Sequence, residues 1–154
     1  MPSDIEVVGK TVSRKPIVFD PKLSRDNPSK RYRSLLKEYK AMHDSGYGIF
    51  NGRSLVKYVH YIKNFLEGND CKTLLDYGCG KGHLYMQEHF ESVTDAIKEP
   101  LPYFWNLDSY HLYDPGYEDF KTLPTEKYDA VICTDVMEHI PEEDLGWVIR
   151  EIYS

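Results

Sequence analysis

The chain has 154 residues, a formal net charge of −6, 41% hydrophobic residues and three cysteines. That length suits one domain with a sizeable core but is short for a complete doubly wound sheet. It has no run of about 18 apolar residues and no apolar signal core, so neither a membrane span nor a secretory leader is predicted. Cys71, Cys79 and Cys133 lack C-x-x-C spacing, which argues against a disulfide framework or a zinc site. We therefore expect a cytoplasmic protein.

The charge is distributed unevenly along the chain. Residues 1–40 hold ten Lys or Arg against five acids, whereas the remainder holds nine against twenty. Four prolines in the first 30 residues argue against regular structure there. We expect a basic, partly ordered arm over residues 1–30, with Ile17-Val18-Phe19 docking as an edge strand or extended segment, and one domain over residues 31–154. The arm could attract a nucleic acid, although a solvated terminus is the simpler interpretation.

Two amphipathic helices are predicted before the first core strand. The first runs from about Pro28 to Met42, and the second begins at a Ser54 cap and ends at Gly68. Their apolar positions are spaced by three and four residues, as a helix requires. These positions are Tyr32, Leu35, Leu36 and Tyr39 in the first helix, and Leu55, Val59, Ile62 and Leu66, with Phe65 beside them, in the second.

A glycine-rich turn follows the first core strand. Thr73 to Asp76 reads as a buried strand, Gly78, Gly80 and Gly82 come next, and residues that suit a helix resume at His83. The spacing G-x-G-x-G is one residue shorter than the dinucleotide fingerprint. A carboxylate at Asp76 repels a diphosphate but attracts an ammonium or sulfonium, by about 1 kcal/mol in water and more in a cleft. The loop therefore favours a cationic cofactor.

The segment after the glycine turn predicts a helix and then a second strand. The helix runs from about His83 through Ile97, and prolines end it. Tyr103, Phe104 and Trp105 form an aromatic connector that either completes the core or places one ring in a binding pocket. Ser109 to Tyr113 is the second strand.

Asp114 stands at the end of that second strand. A carboxylate at this place in doubly wound folds binds the hydroxyls of a ribose. Asp95 and Asp108 are weaker candidates because neither follows a convincing strand.

A third strand and a final helix complete the pattern. Tyr128 to Cys133 is apolar enough for a strand covered on both faces. Glu142, Glu143 and Asp144 then begin an amphipathic helix, where acids interact favourably with the helix dipole.

Two stretches resemble motifs of the class I S-adenosylmethionine-dependent methyltransferases. Asp76 with its G-x-G-x-G turn resembles the first motif, and the run D-V-M-E-H-I from Asp135 to Ile140 is similar to the fourth. The resemblance covers about Leu55 to Ile152. It implies an α/β fold with a Rossmann-like, mostly parallel sheet flanked by helices, methyl transfer, and S-adenosyl-L-methionine as cofactor. Tyr39, Met42 and His43 are also similar to a stretch of small methyltransferases from phage genomes.

The resemblance also implies roles for individual residues. Asp76, Gly78 and Gly80 would contact the methionine end of the cofactor, with Tyr77 and Gly82 completing the motif; Asp114 would bind the ribose and Asp135 would lie near the sulfonium. His139 and Glu138 are the candidate catalytic bases, with His43 a more distant one, although a local hydrogen-bonding pair is the favoured interpretation of Glu138 and His139. No metal site is predicted.

The sequence departs from the resemblance in two places. Thirteen residues separate Asp114 from Tyr128, too few for the usual helix, strand and adenine-binding loop, so Tyr117, Glu118 or Asp119 would have to substitute. About three further strands are expected after residue 154. Their absence leaves the sheet incomplete at its C-terminal edge, and we expect a truncated product, a homodimer through that edge, or coverage by the N-terminal arm.

The methyl acceptor is not predicted and could be a small molecule or a macromolecule. Nucleic acid is possible but not favoured, and no membrane partner is expected. An S-adenosylmethionine-binding domain without transferase activity is the alternative function. A nicotinamide-dependent oxidoreductase is disfavoured by the glycine spacing and by Asp76.

Overall fold

The computed structural model describes residues 5–7, 10–12, 16, 19–46 and 48–154. Near the N-terminus, β1 (Ile5–Val7) and β2 (Lys10–Val12) form a short antiparallel hairpin, with Glu6 opposite Thr11. The expectation that the first 30 residues lack regular structure was therefore wrong for these two strands, which are rich in β-branched residues. Ile17 and Val18, the first two residues of the predicted apolar cluster, lie outside the described residues.

The first two predicted helices are present. Helix α1 spans Lys30–Ser45, and the Ser29 hydroxyl caps it by accepting the Tyr32 N–H at 3.0 Å. A 3₁₀ turn, Arg53–Tyr58, leads into α2, Val59–Gly68. Ser54 therefore lies inside the turn and does not cap the second helix. Phe65, which was predicted to lie beside the apolar face, is 50% exposed.

Three parallel strands form the central sheet. They are β3 (Thr73–Tyr77), β4 (Ser109–Tyr113) and β5 (Ala130–Ile132), in the spatial order β4-β3-β5. Tyr77 lies opposite Tyr113, and Asp76 lies between Leu112 and Ile132. This parallel sheet with flanking helices confirms the predicted α/β, Rossmann-like fold, which here has a three-stranded, incomplete sheet.

Alternate side chains of the sheet enter two separate cores. On one face, Leu74 and Leu112 pack with the apolar side of α2 and with Trp105. On the other face, Leu75 and Tyr113 pack with Trp147. The period of two along a strand produces this division, because successive side chains point to opposite faces.

The helix predicted from His83 to Ile97 is not continuous. A 3₁₀ turn, His83–Tyr85, is followed by two one-turn helices, α3 (Phe90–Val93) and α4 (Leu101–Phe104). His83, Leu84 and Tyr85 are all buried. Three consecutive buried residues cannot share one face of an α-helix, so this segment is folded by packing and not by helical periodicity.

The third strand is shorter and less covered than predicted. Among the described residues β5 pairs with β3 alone, and Val131 and Ile132 are only half-buried. The prediction of a strand covered on both faces was therefore wrong. Helix α5, Glu142–Ile152, follows it with the three expected acids in its first turn.

The segment before α1 is attached to α5. The Arg25 guanidinium donates to Glu151 at 2.7 Å, the Ser29 N–H donates to Asp144 at 2.9 Å, and the Phe19 ring lies 5.1 Å from the Arg150 guanidinium. These contacts hold the start of α1 against α5. In the part of the chain that the structure describes, no helix has the length and apolar character needed to cross a bilayer.

Candidate functional site

A cavity lies at the carboxyl ends of the three strands. The chain leaves the central strand β3 for β4 on one side and then crosses back to β5 on the other, so the strand order reverses at β3. A reversal of this kind opens a crevice in which parallel α/β sheets bind ligands. The cavity is lined by the glycine turn (Asp76 to Gly80), by Asp114 to Gly116, by Thr134 to Val136 with His139 to Pro141, and by Tyr32, Leu35, Leu36, Tyr39, His43, Phe50, Gly52, Ser54 and Leu55.

The glycine turn is held in a conformation that side chains do not tolerate. Gly78 has φ 89°, and a Cβ there would overlap the Val136 side chain. Gly80 has φ 60°, and its Cβ would overlap the Phe50 carbonyl. The Gly78 and Cys79 N–H groups donate to the Tyr113 carbonyl at 2.7 and 3.1 Å. The turn is thus a backbone surface pressed between three neighbouring segments.

Asp76 is the buried acid of the cavity. Its side chain is 2% exposed, and its Oδ2 accepts the Tyr85 hydroxyl at 2.8 Å. Its Oδ1 is buried and has no hydrogen-bond partner in the part of the chain that the structure describes. Burial raises the pKa of Asp76 to about 7, against the lowering effect of the Tyr85 hydrogen bond. A buried carboxylate with a free oxygen is a receptor for a cationic hydrogen-bond donor.

Asp114 lies beside Asp76, and each of its two carboxylate oxygens accepts a backbone N–H. Its Oδ2 accepts the Gly80 N–H at 2.9 Å, and its Oδ1 accepts the Gly116 N–H at 2.8 Å. The carboxylate therefore ties the glycine turn to the end of β4. Each oxygen retains a second lone pair, which leaves capacity to accept from a ligand hydroxyl.

The opposite end of the cavity is formed by the segment after β5. Asp135 and His139 both line it, and the His139 ring lies 5.9 Å from the Tyr39 ring of α1. Asp135 has φ 53°, so the backbone turns sharply where the strand ends. Both residues are exposed, so an imidazole and a carboxylate are available at the rim of the cavity, where a reacting group could lose a proton.

Three of the predicted site residues are placed differently from the rest. Gly82 does not line the cavity, because its α-carbon faces Leu112, whose Cδ1 would lie 2.7 Å from a Cβ. Glu138 is exposed and also outside the lining. Tyr77 lines the cavity, but its hydroxyl donates to Glu151 of α5 at 2.7 Å, so its side chain is committed to the fold. The structure brings the other predicted residues together.

The aromatic connector does not reach the cavity. Trp105 is buried in the core and donates its indole N–H to the Val59 carbonyl at 2.8 Å, whereas Tyr103 is 70% exposed. Of the two interpretations, core packing therefore holds for Trp105. Tyr117, Glu118 and Asp119, the suggested adenine contacts, also lie outside the cavity lining.

Helix α1 closes the cavity, which sequence patterns did not indicate. The helix presents Tyr32, Leu35, Leu36, Tyr39 and His43 to the cavity. The apolar spacing of α1 predicts an inner face but not what that face covers. The segment after it adds Phe50, whose carbonyl also accepts the Lys81 N–H at 2.6 Å.

The chemistry available in the cavity is that of a charged organic ligand. One buried acid, a backbone turn, two further carboxylates and an apolar helix face surround the space. No cluster of three or more His, Cys, Asp or Glu side chains within the described ranges could hold a metal ion. The arrangement suits a ligand with a cationic end, hydroxyl groups and apolar surface.

Comparisons with known proteins agree with this geometry. A family model described as "Methyltransferase domain" matches residues 49–154. The chain is also 33% identical over 95 residues to a "Ubiquinone biosynthesis O-methyltransferase" from Hydrogenovibrio crunogenus. That alignment covers 54% of this chain and 38% of the relative, so the chain spans well under half the length of that protein. No solved structure matches the chain significantly.

Proposed function

The chain belongs to the methyltransferase domain family, as the class I resemblance indicated, and we propose that it binds S-adenosylmethionine in this cavity and transfers its methyl group. One observation carries the proposal. The Asp76 carboxylate is buried at the glycine turn with one oxygen unpartnered, where the ammonium of an amino acid would satisfy it. Burying a charge without a partner is costly, so a cation that pairs with Asp76 gains more here than at a surface.

The order of the strands gives the ligand an orientation. Asp114 follows the outer strand β4, Asp76 ends the central strand β3, and Asp135 follows β5. With the ammonium at Asp76, the ribose hydroxyls reach Asp114 and the methyl group points toward Asp135 and His139. Alignment of donor and acceptor is the main requirement of methyl transfer, because the sulfonium is already a good electrophile.

We further propose that the acceptor is a hydroxyl group on a small, largely apolar molecule. The Hydrogenovibrio relative is an O-methyltransferase by name. In this chain, Leu35, Leu36 and Tyr39 give the cavity an apolar wall next to His139. The acceptor oxygen would form a bond to the methyl carbon as the carbon–sulfur bond breaks, leaving a neutral thioether, and His139 would take the hydroxyl proton.

Calorimetric titration of the full chain tests the binding proposal. S-adenosylmethionine and S-adenosylhomocysteine should both bind to the folded protein, and NAD should not. Asp76→Asn is the matched variant, because it preserves the shape of the side chain and removes the charge that would pair with the ammonium. Binding of NAD with no response to either sulfur nucleoside would overturn the assignment.

Turnover is tested separately from binding. Radiolabelled S-adenosylmethionine with catechol as a phenolic acceptor should give methylated product, and His139→Gln should slow transfer while leaving cofactor affinity within about twofold. Tight cofactor binding with no transfer to any small hydroxyl acceptor would support the alternative, a binding domain without transferase activity.

A further inference from the structure

His43 is the buried polar residue of the cavity that the proposed function does not use. It lies in the last turn of α1 and is 5% exposed. Its ring stacks on Tyr117 at 5.1 Å and lies 4.8 Å from the Phe50 ring. It therefore forms part of the cavity wall at the side of Asp114 and β4.

Among the described residues, one nitrogen of this imidazole has no hydrogen-bond partner. Nε2 lies 3.7 Å from Asp114 Oδ1, too far for a hydrogen bond, and Nδ1 is buried without one. Buried polar atoms in folded proteins are normally satisfied, so this one points to a missing ligand group.

Two cavity-lining side chains thus carry unpartnered buried atoms, and they differ in chemistry. Asp76 offers an acceptor with negative charge at the centre of the sheet edge, whereas His43 offers its Nδ1, on a ring whose Nε2 faces Asp114. A ligand that satisfies both has a cation at one end and a hydrogen-bonding heterocycle at the other. S-adenosylmethionine has this layout, with a ribose between its ammonium and its adenine.

We propose that His43 binds the adenine ring of the cofactor, an inference that rests on the proposed function. The order of the strands supports this end of the ligand, because the ribose at Asp114 continues away from Asp76 toward His43. Purine edges carry both donors and acceptors, so either tautomer of a neutral imidazole finds a complement. Phe50, which lines the cavity beside His43, supplies an aromatic face for the base.

His43 is thereby distinguished from a catalytic base. It lies at the β4 side of the cavity, next to Asp114, whereas the methyl group is directed to the β5 side, where His139 lies. His43 also borders a neighbouring polar cleft with Lys81 and Asp119, so occupation of the cofactor cavity must be tested directly.

The test uses two ligands that share the nucleoside and differ in the ammonium. S-adenosylhomocysteine carries both, and 5′-methylthioadenosine carries the nucleoside alone. His43→Phe keeps the ring stacking and removes the nitrogens, and it should weaken both ligands by about tenfold, the factor given by about 1.4 kcal/mol. Asp76→Asn should weaken S-adenosylhomocysteine alone. His60→Phe, at an exposed position on α2, is the control and should change neither.

A second measurement follows ligand binding in the wild-type protein and uses the variant only to assign resonances. In wild type, the His43 ring nitrogen resonances, assigned by their absence from the His43→Phe spectrum, should shift when 5′-methylthioadenosine is added. Unchanged resonances, or unchanged affinity for both ligands in His43→Phe, would overturn the role of His43 while leaving the cofactor assignment intact. Loss of S-adenosylhomocysteine affinity alone would place His43 at the amino-acid end and contradict the proposal. A wild-type protein that binds neither ligand would overturn the proposed function and this inference together.

Discussion

The ends of β3 and β4 carry carboxylates that differ in their burial and in their hydrogen bonds. Asp76 is almost wholly buried, holds one hydrogen bond from Tyr85, and leaves an oxygen unpartnered. Asp114 uses one oxygen on the Gly80 N–H and the other on the Gly116 N–H. The two strands pair in register, and the turn after β3 donates its Gly80 N–H to Asp114 and not to Asp76.

This contrast distinguishes a carboxylate that holds the site together, Asp114, from one that is available to bind a ligand, Asp76. The hydrogen bonds from the Gly80 and Gly116 N–H groups offset the free-energy cost of desolvating the Asp114 carboxylate. The free-energy cost of desolvating Asp76 is not offset in this way, and burial therefore raises the pKa of that carboxyl to about 7. Substitutions at the two strand ends should accordingly have different and in part opposite effects.

The largest effect is expected at the glycine turn that joins the two regions. Gly78→Ala forces a side chain into φ 89° and into the Val136 side chain. We expect S-adenosylhomocysteine binding to weaken about 100-fold, equivalent to about 3 kcal/mol, as the turn shifts. Calorimetry checks this, with Gly68→Ala as the control, because a Cβ at Gly68 meets nothing within 4 Å. Equal affinity in the two variants would contradict the account of the turn.

Removal of the engaged carboxylate should destabilise the fold. Asp114→Ala leaves the Gly80 and Gly116 N–H groups without their acceptor, and we expect the free energy of unfolding to fall by about 2 kcal/mol. Denaturant unfolding of the ligand-free protein measures this directly. A variant as stable as wild type would show that Asp114 does not hold the two turns.

Removal of the unengaged carboxylate should have the opposite sign. The native state holds a proton on Asp76 up to about pH 7, whereas the unfolded chain releases it near 3.8. The unfolded state therefore binds fewer protons in this window, and the contribution of Asp76 to stability declines as the pH rises from about 4 to 7. Asp76→Asn should remove that decline and be more stable than wild type at pH 8 without ligand. If the free energies of unfolding of the two proteins ran parallel over this pH range, the raised pKa of Asp76 would be contradicted.

A smaller effect is expected at Tyr85, which sets the state of Asp76. Tyr85→Phe removes the hydrogen bond to Oδ2 and should raise the pKa of Asp76 further. The pH midpoint for S-adenosylhomocysteine binding should rise by about one unit, as expected for loss of about 1 kcal/mol favouring the ionised form. Titrations between pH 6 and 9 check this, and an unmoved midpoint with weaker binding at every pH would indicate a purely structural role.

The same contrast explains how much the sequence predicted. The strand, the glycine turn and the two acids were found because each depends on local chemistry: a short apolar run, residues that tolerate positive φ, and a carboxylate at a strand end. The continuous helix predicted after His83 was wrong, because tertiary burial of Leu84 and Tyr85 overrides helical periodicity there.

The cavity wall formed by α1 and Phe50 could not be predicted from the sequence, for a different reason. His43, Phe50 and Tyr39 reach the glycine turn across more than 25 residues of chain, and their spacing carries no record of that contact. Likewise, Asp144 lies in the first turn of α5 as expected, but the sequence did not indicate that it is buried and accepts the Ser29 N–H at the start of α1. Long-range packing decides both placements.

Proton release on binding tests the central claim most directly. If the ammonium of the ligand pairs with Asp76, S-adenosylhomocysteine must expel the proton that the buried carboxyl holds in half of the molecules near pH 7. Calorimetry at pH 7 in buffers of different ionisation enthalpy should show release of about half a proton in wild type, falling toward zero at pH 9, and none in Asp76→Asn. Binding to wild type without proton release, or equal release in Asp76→Asn, would contradict the account.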